Sequence, residues 1–117
     1  MIRLFIFFGC ITSFISCGKE ERPDDILSPK QMVVSLMEIY VTEAKVSNIP
    51  VNRDSMLRAF DYLEIRTFNK LGVSDSVFKK SYDYYLDRPE EMEAIYTVLI
   101  DSLNVREQRE GPLEAPR

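Results

Sequence analysis

Histidine and tryptophan are absent from the 117 residues, and cysteine occurs only twice. Without histidine there is no Ser-His-Asp triad, no Cys-His pair and no imidazole to hold a metal. Two cysteines cannot build the disulfide framework that staples many small secreted domains. The four glycines stand at 9, 18, 72 and 111. That scatter leaves no Gly-rich loop to cradle a phosphate. Positive charge is also in deficit, with 15 Lys+Arg against 19 Asp+Glu and a formal charge of −4. The chain therefore lacks the basic field that attracts nucleic acid. Lys79-Lys80 and Arg106 with Arg109 are diluted by acids and read as a solvated face.

What is present begins with an address. Residues 1–17 read MIRLFIFFGCITSFISC, with Arg3 as the only charge. Leu4 to Ile15 is apolar apart from Gly9, Thr12 and Ser13. A positive start, an apolar middle and a small residue before a break are the anatomy of a signal peptide, here residues 1–16. The run is too short for a bilayer span, which takes about 20 residues. Phe14-Ile15-Ser16-Cys17 resembles a bacterial lipobox. That resemblance implies a diacylglycerol on the Cys17 thiol and cleavage between Ser16 and Cys17. Phe14 stands where Leu is commonest. Cys10 follows a small residue too, but cutting there leaves too short an apolar core. Two or three acyl chains give stable anchoring where one gives only marginal binding.

Lys19, Glu20 and Glu21 follow the cysteine closely. A Lys and two acids in that place resemble the surface-export signal of Bacteroidetes-type lipoproteins. With Pro23 and Asp24-Asp25, residues 17–27 are expected to form a short charged linker.

From residue 28 to 110 the chain reads as helices. Ser28 is a good N-cap, Pro29 suits the first helical position, and Gln31 completes a capping box. Leu27 and Met32 stand at the two positions of a hydrophobic staple. The pattern recurs with Val51 and Met56 around a start at Asn52. It recurs again with Val73 and Phe78 around Ser74. A fourth start lies at Asp87 or Arg88, ahead of Pro89. Asn48-Ile49-Pro50, Gly72 and Gly111-Pro112 mark the stops. Residues 111–117 are expected to be a disordered tail.

The apolar spacing is helical throughout. It gives Val33, Leu36, Met37, Tyr40, Val41 and Ala44 on the first helix, and Met56, Leu57, Phe60, Leu63, Phe68 and Leu71 on the second. The third carries Phe78, Ser81, Tyr82 and Tyr85. The fourth carries Met92, Ile95, Tyr96, Leu99 and Leu103. The expected architecture is an all-α bundle of about four short amphipathic helices. A domain this small has a modest core, so part of one face is expected to stay open to a partner.

Tyr82, Tyr85 and Tyr96 are the candidate binding patch, because tyrosine is enriched at binding hot spots. The same rings also suit a core whose edge receives their hydroxyls. Glu90, Glu91 and Glu93 share one helical turn and present no opposed pair of carboxylates. They read as favourable charge at a helix N-terminus. No catalysis, metal or cofactor is expected.

Phe78, Ser81-Tyr82, Tyr85, Pro89-Glu90-Glu91-Met92, Ile95-Tyr96, Leu99 and Leu103 stand in a spacing similar to that of a family of short Bacteroidetes-type lipoproteins. It is the domain of unknown function 4296. Lys70 to Ser74 is similar to its central turn, and Met32 to Ala44 resembles its first helix. The resemblance covers roughly residues 25–107. It implies a helical fold behind a lipobox and brings no activity. The expectation is a lipid-anchored outer-membrane module, more surface-exposed than periplasm-facing, that binds an envelope protein partner and no nucleic acid. The alternative is a small-ligand or glycan binder using the tyrosines.

Overall fold

The computed structural model describes residues 21–111. The signal peptide, Ser16, Cys17, Lys19, Glu20 and the tail residues 112–117 lie outside the described residues. Among the described residues stand four helices: α1 (Pro29–Ser47), α2 (Arg53–Leu71), α3 (Asp75–Leu86) and α4 (Pro89–Glu110). The fold is a small all-α bundle. None of these helices is long and apolar enough to cross a membrane.

Local chemistry accounts for each boundary. Ser28 Oγ accepts from the Gln31 backbone N–H at 3.2 Å, and the Gln31 side chain accepts from the Ser28 N–H at 2.8 Å. Asn52 Oδ1 accepts from Ser55 N at 2.9 Å, and Ser74 Oγ accepts from Val77 N at 3.2 Å. Each such cap is worth about 1 kcal/mol. Gly72 ends α2 at φ 66°, a left-handed conformation that a side chain strains. The start of α4 falls at Arg88, which has no side-chain cap bond, while Asp87 closes α3 instead. Pro89 holds Arg88 at φ −129° and ψ 76°, away from the helical region.

Helix α1 is central and packs against α2, α3 and α4. That position explains why Met32, Ser35 and Val46 are buried as well as the expected Val33, Leu36 and Val41. Val33 shares a groove with Ile95 and Val98 near the start of α1, and Glu38 meets Arg106 further along. Helices α1 and α4 therefore run in the same direction. The main core holds Ile26, Leu27, Met32, Val33, Leu36, Tyr85, Met92, Ile95 and Leu99. Fully burying such side chains stabilises by about 1.5–3 kcal/mol each.

Three expectations are corrected. Of the expected linker 17–27, residues 21–25 are exposed, but Ile26 and Leu27 are core residues. On α2 the six-residue apolar stripe is only lightly used: Phe68 is buried and Leu57 is 50% exposed. On α1, Tyr40 is 42% exposed rather than in the core. Helix α2 packs chiefly on α1, so the core is thin where α2 contributes to it.

Candidate functional site

Residues 22–27 form a strap across α3. A turn closes where the Ile26 N–H meets the Pro23 carbonyl at 3.1 Å. The Arg22 Nε–H donates to the Ile26 carbonyl at 3.2 Å. Lys80 pairs with Asp25 and holds its carboxyl below the usual range. Deeper in, Leu27 N–H donates to Ser81 Oγ at 2.8 Å, and Tyr85 Oη donates to the Leu27 carbonyl at 2.7 Å. Ser81 then donates to the Val77 carbonyl at 2.7 Å. Both backbone polar groups of Leu27 are thus satisfied by side chains of α3, as their burial requires.

This geometry removes Tyr85 from the expected patch. Its ring is fully buried, and burial raises its phenol above the ordinary value. Tyr82 and Tyr96 do come together, with hydroxyls 3.2 Å apart at a half-buried edge. The bond to Tyr82, then burial, pushes the Tyr96 phenol well above its ordinary range. Behind Tyr82 the rings of Phe78 and Phe68 continue the contact, at 6.2 Å and then 5.1 Å between centroids. The three predicted tyrosines do not line one open cleft. One is structural, and the other two pair with each other.

Two surfaces escaped the sequence reading. The first is the outer face of α2. Tyr62 and Ile65 are each 61% exposed. Arg58 and Arg66 stand four residues either side of Tyr62, so all three share one helical face. The Arg66 guanidinium lies 5.8 Å from the Tyr62 ring centre. Exposed Tyr62, Ile65, Arg58 and Arg66, with Asp61 beside them, make an aromatic face of mixed charge on a helix lightly held by the core. The available signal was Tyr62 and Ile65 falling off the apolar stripe of α2.

The second surface is a groove between α1 and α4 of about 440 Å³. Its walls are Val33, Val34, Ala94, Ile95 and Val98, with Pro29 and Lys30 at its foot and Ser102 at the other end. No residue of α2 or α3 lines it. Ser102 Oγ donates to the Val98 carbonyl at 2.7 Å, so that hydroxyl is already satisfied within the helix. The pattern was visible in part as Ala94, Val98 and Val105 beside the main stripe of α4.

Glu21 is exposed and is the one residue of the expected export signal within the described residues. Lys79 and Asp75 pair at 2.8 Å on the solvent side of α3. Arg106 bridges Glu38 at 3.2 Å and Glu110 at 3.1 Å, tying α4 to α1. Arg88 covers the Tyr84 ring at 3.7 Å and donates to the Tyr84 carbonyl at 3.0 Å. Arg88 and Arg106 thus serve helices already in contact, while Lys79 is paired within α3.

The class is that of a small all-α bundle whose first segment straps its third helix. The chain belongs to the family of the domain of unknown function DUF4296, whose model matches residues 23–109. The matched span takes in the strap from Pro23 and the four helices up to Arg109. Comparison with curated proteins and with solved structures found no match.

Proposed function

We propose that this chain is a lipid-anchored outer-membrane module that binds an envelope protein through the outer face of α2. The observation that carries the reading is the exposure of Tyr62 and Ile65, 61% each, between Arg58 and Arg66. Tyr and Arg are the residue types that dominate binding hot spots. Tyrosine brings a large rigid apolar area, and arginine a planar fork for carboxylates. The matching partner surface is an apolar pocket with carboxylates placed to meet Arg58 and Arg66. The lipobox resemblance at Cys17 supports the anchor. Lys19, Glu20 and Glu21 support display on the outer surface.

The test is crosslinking in intact membranes, followed by purification through a C-terminal tag and mass spectrometry. The expected result is one envelope protein at near-stoichiometric yield with the wild type, lost from the double variant Tyr62→Ala, Ile65→Ala. Helicity by circular dichroism should match the wild type, because both side chains face solvent. Equal recovery of the same protein with the double variant would refute the α2 face. Digestion of the domain by protease added to intact cells would support surface display.

A further inference from the structure

We propose that the partner of the α2 face is a second copy of this chain, which receives that face in its groove between α1 and α4. The inference rests on the reading of the α2 face above and names what the face meets. Each molecule carries both halves of the contact. The knob is Tyr62 with Ile65, three positions apart on one face of α2 and each 61% exposed. The socket is an aliphatic groove of about 440 Å³ with Val33, Val34, Ala94, Ile95 and Val98 as its walls. Its one hydroxyl, on Ser102, is already spent on the Val98 carbonyl. An Ile side chain and a Tyr ring that enter therefore strand no wall group, and the phenol stays at the wet mouth.

Length and charge select this occupant. On α4 the groove runs from Ala94 to Ser102, eight positions or roughly 12 Å. Arg58 and Arg66 are also eight positions apart, so they bracket the knob over roughly the same 12 Å. Glu90 lies four positions before Ala94, and Asp101 three after Val98. Both share the stripe of Ala94 and Val98, on the side turned away from the buried Ile95. Carboxylates thus stand near both ends of the outer edge of the groove. The opposite wall carries Lys30. On α2 the charges are divided in the complementary sense. Asp61 stands four positions before Ile65 and Asp54 seven before Asp61, on the edge opposite Arg66. An α2 helix laid in the groove with Asp54 and Asp61 toward Lys30 turns Arg66 toward the acids of α4, and Arg58 follows along the same face. All these charged groups are exposed, and among the described residues no ion pair engages them. Exposed ion pairs add little affinity, so the aliphatic contact supplies the attraction and the charges set the register. Two different faces meet, so the contact closes as a reciprocal dimer or runs on from copy to copy.

The experiment uses the full chain in intact cells, produced as two copies with different C-terminal tags. One copy carries Tyr62→benzoylphenylalanine, an aromatic photocrosslinker in the place of the knob. After irradiation the product is purified through one tag, probed for the other and mapped by peptide mass spectrometry. Crosslinks from position 62 to residues 29–34 and 94–102 of the second copy are expected. Val98→Glu in the second copy should reduce them about tenfold. Val98 is 52% exposed, so that variant keeps the fold, and circular dichroism checks it. Charge exchange gives a second readout. Arg58→Glu with Arg66→Glu on the crosslinking copy should lower the yield, and Glu90→Arg with Asp101→Arg on the second copy should restore it. No recovery in the exchanged pair would overturn the seating. Crosslinks between copies that fall on other residues would do the same. Crosslinks to a different protein would overturn self-association and leave the α2 face a binding surface. No crosslink from position 62 to any protein would overturn this inference and the reading beneath it together.

Discussion

Tyr85 and Leu27 lie 58 positions apart, yet the phenol of one donates to the carbonyl of the other at 2.7 Å. Four residues before Tyr85, Ser81 accepts the Leu27 N–H at 2.8 Å. One turn of α3 therefore meets both polar groups of a backbone unit that has left water. The strap is held by this clamp and by Ile26 and Leu27 side chains in the core. Anything that pulls on the chain upstream pulls on Tyr85.

The clamp gives the first prediction. Tyr85→Phe keeps the ring and leaves the Leu27 carbonyl buried without a donor. Such a group costs about 1–3 kcal/mol. Ser81→Ala strands the Leu27 N–H and should cost a similar amount. The two share one strap, so the double variant should cost less than the sum. Urea denaturation of the two single variants and the double variant measures all three values. Full additivity would mean that the strap does not act as one unit.

A second prediction separates the two ends of the bundle. Leu99 is 1% exposed in the main core, whereas Leu57 is 50% exposed on α2. Leu99→Ala should cost about 2–5 kcal/mol through lost transfer energy and a cavity. Leu57→Ala should cost about 0.5 kcal/mol or less, as at other open surface positions. The midpoints of denaturation give both numbers. Hydrogen exchange should show α2 opening at lower free energy than α4.

Helix ends were legible in the sequence because their causes are local. Ser28, Asn52, Ser74 and Gly72 each act on backbone within a few residues, and all four stand where their chemistry placed them. The start of α4 has local warrants in the sequence at both Asp87 and Arg88; the bond of Asp87 N–H to Asp83 O closes α3 and decides it. Burial was less legible. The apolar stripe of α2 promised a core face, but a stripe says nothing about how many helices will cover it. Ile26 and Leu27 sit among charges, and only the distant Ser81 and Tyr85 draw them inside. The tyrosines look alike in sequence. Tyr85 goes inside because α3 turns it toward the strap, while Tyr82 and Tyr96 meet at the edge.

The caps supply a third prediction. Ser28→Ala removes an N-cap bond and one half of a capping box, at about 1 kcal/mol. Asp87→Ala removes a residue that makes no N-cap bond to α4, so its cost should stay within about 0.5 kcal/mol. Thermal melts of the two variants rank them. A larger loss for Asp87→Ala would show that it caps α4 in solution.

Glu64 yields a prediction in pH. Burial is the first cause that raises its carboxyl above the ordinary 4.5, and Asp75 is the second, with Lys79 offsetting part. A raised carboxyl means that the ionised form disfavours the folded state. The penalty is absent below 4.5, where folded and unfolded chains both carry the proton. It grows as pH rises through the folded value and is complete at neutrality. Glu64→Gln removes the charge and should therefore stabilise at pH 7, by about 0.5 kcal/mol or less at so accessible a site. At pH 3.5 the advantage should vanish, because the wild-type side chain is then neutral too. Subtracting variant from wild type at each pH cancels the titration of the other carboxylates. Urea curves at pH 7 and pH 3.5 test the sign. A gain that persists unchanged at pH 3.5 would assign the effect to packing and not to charge.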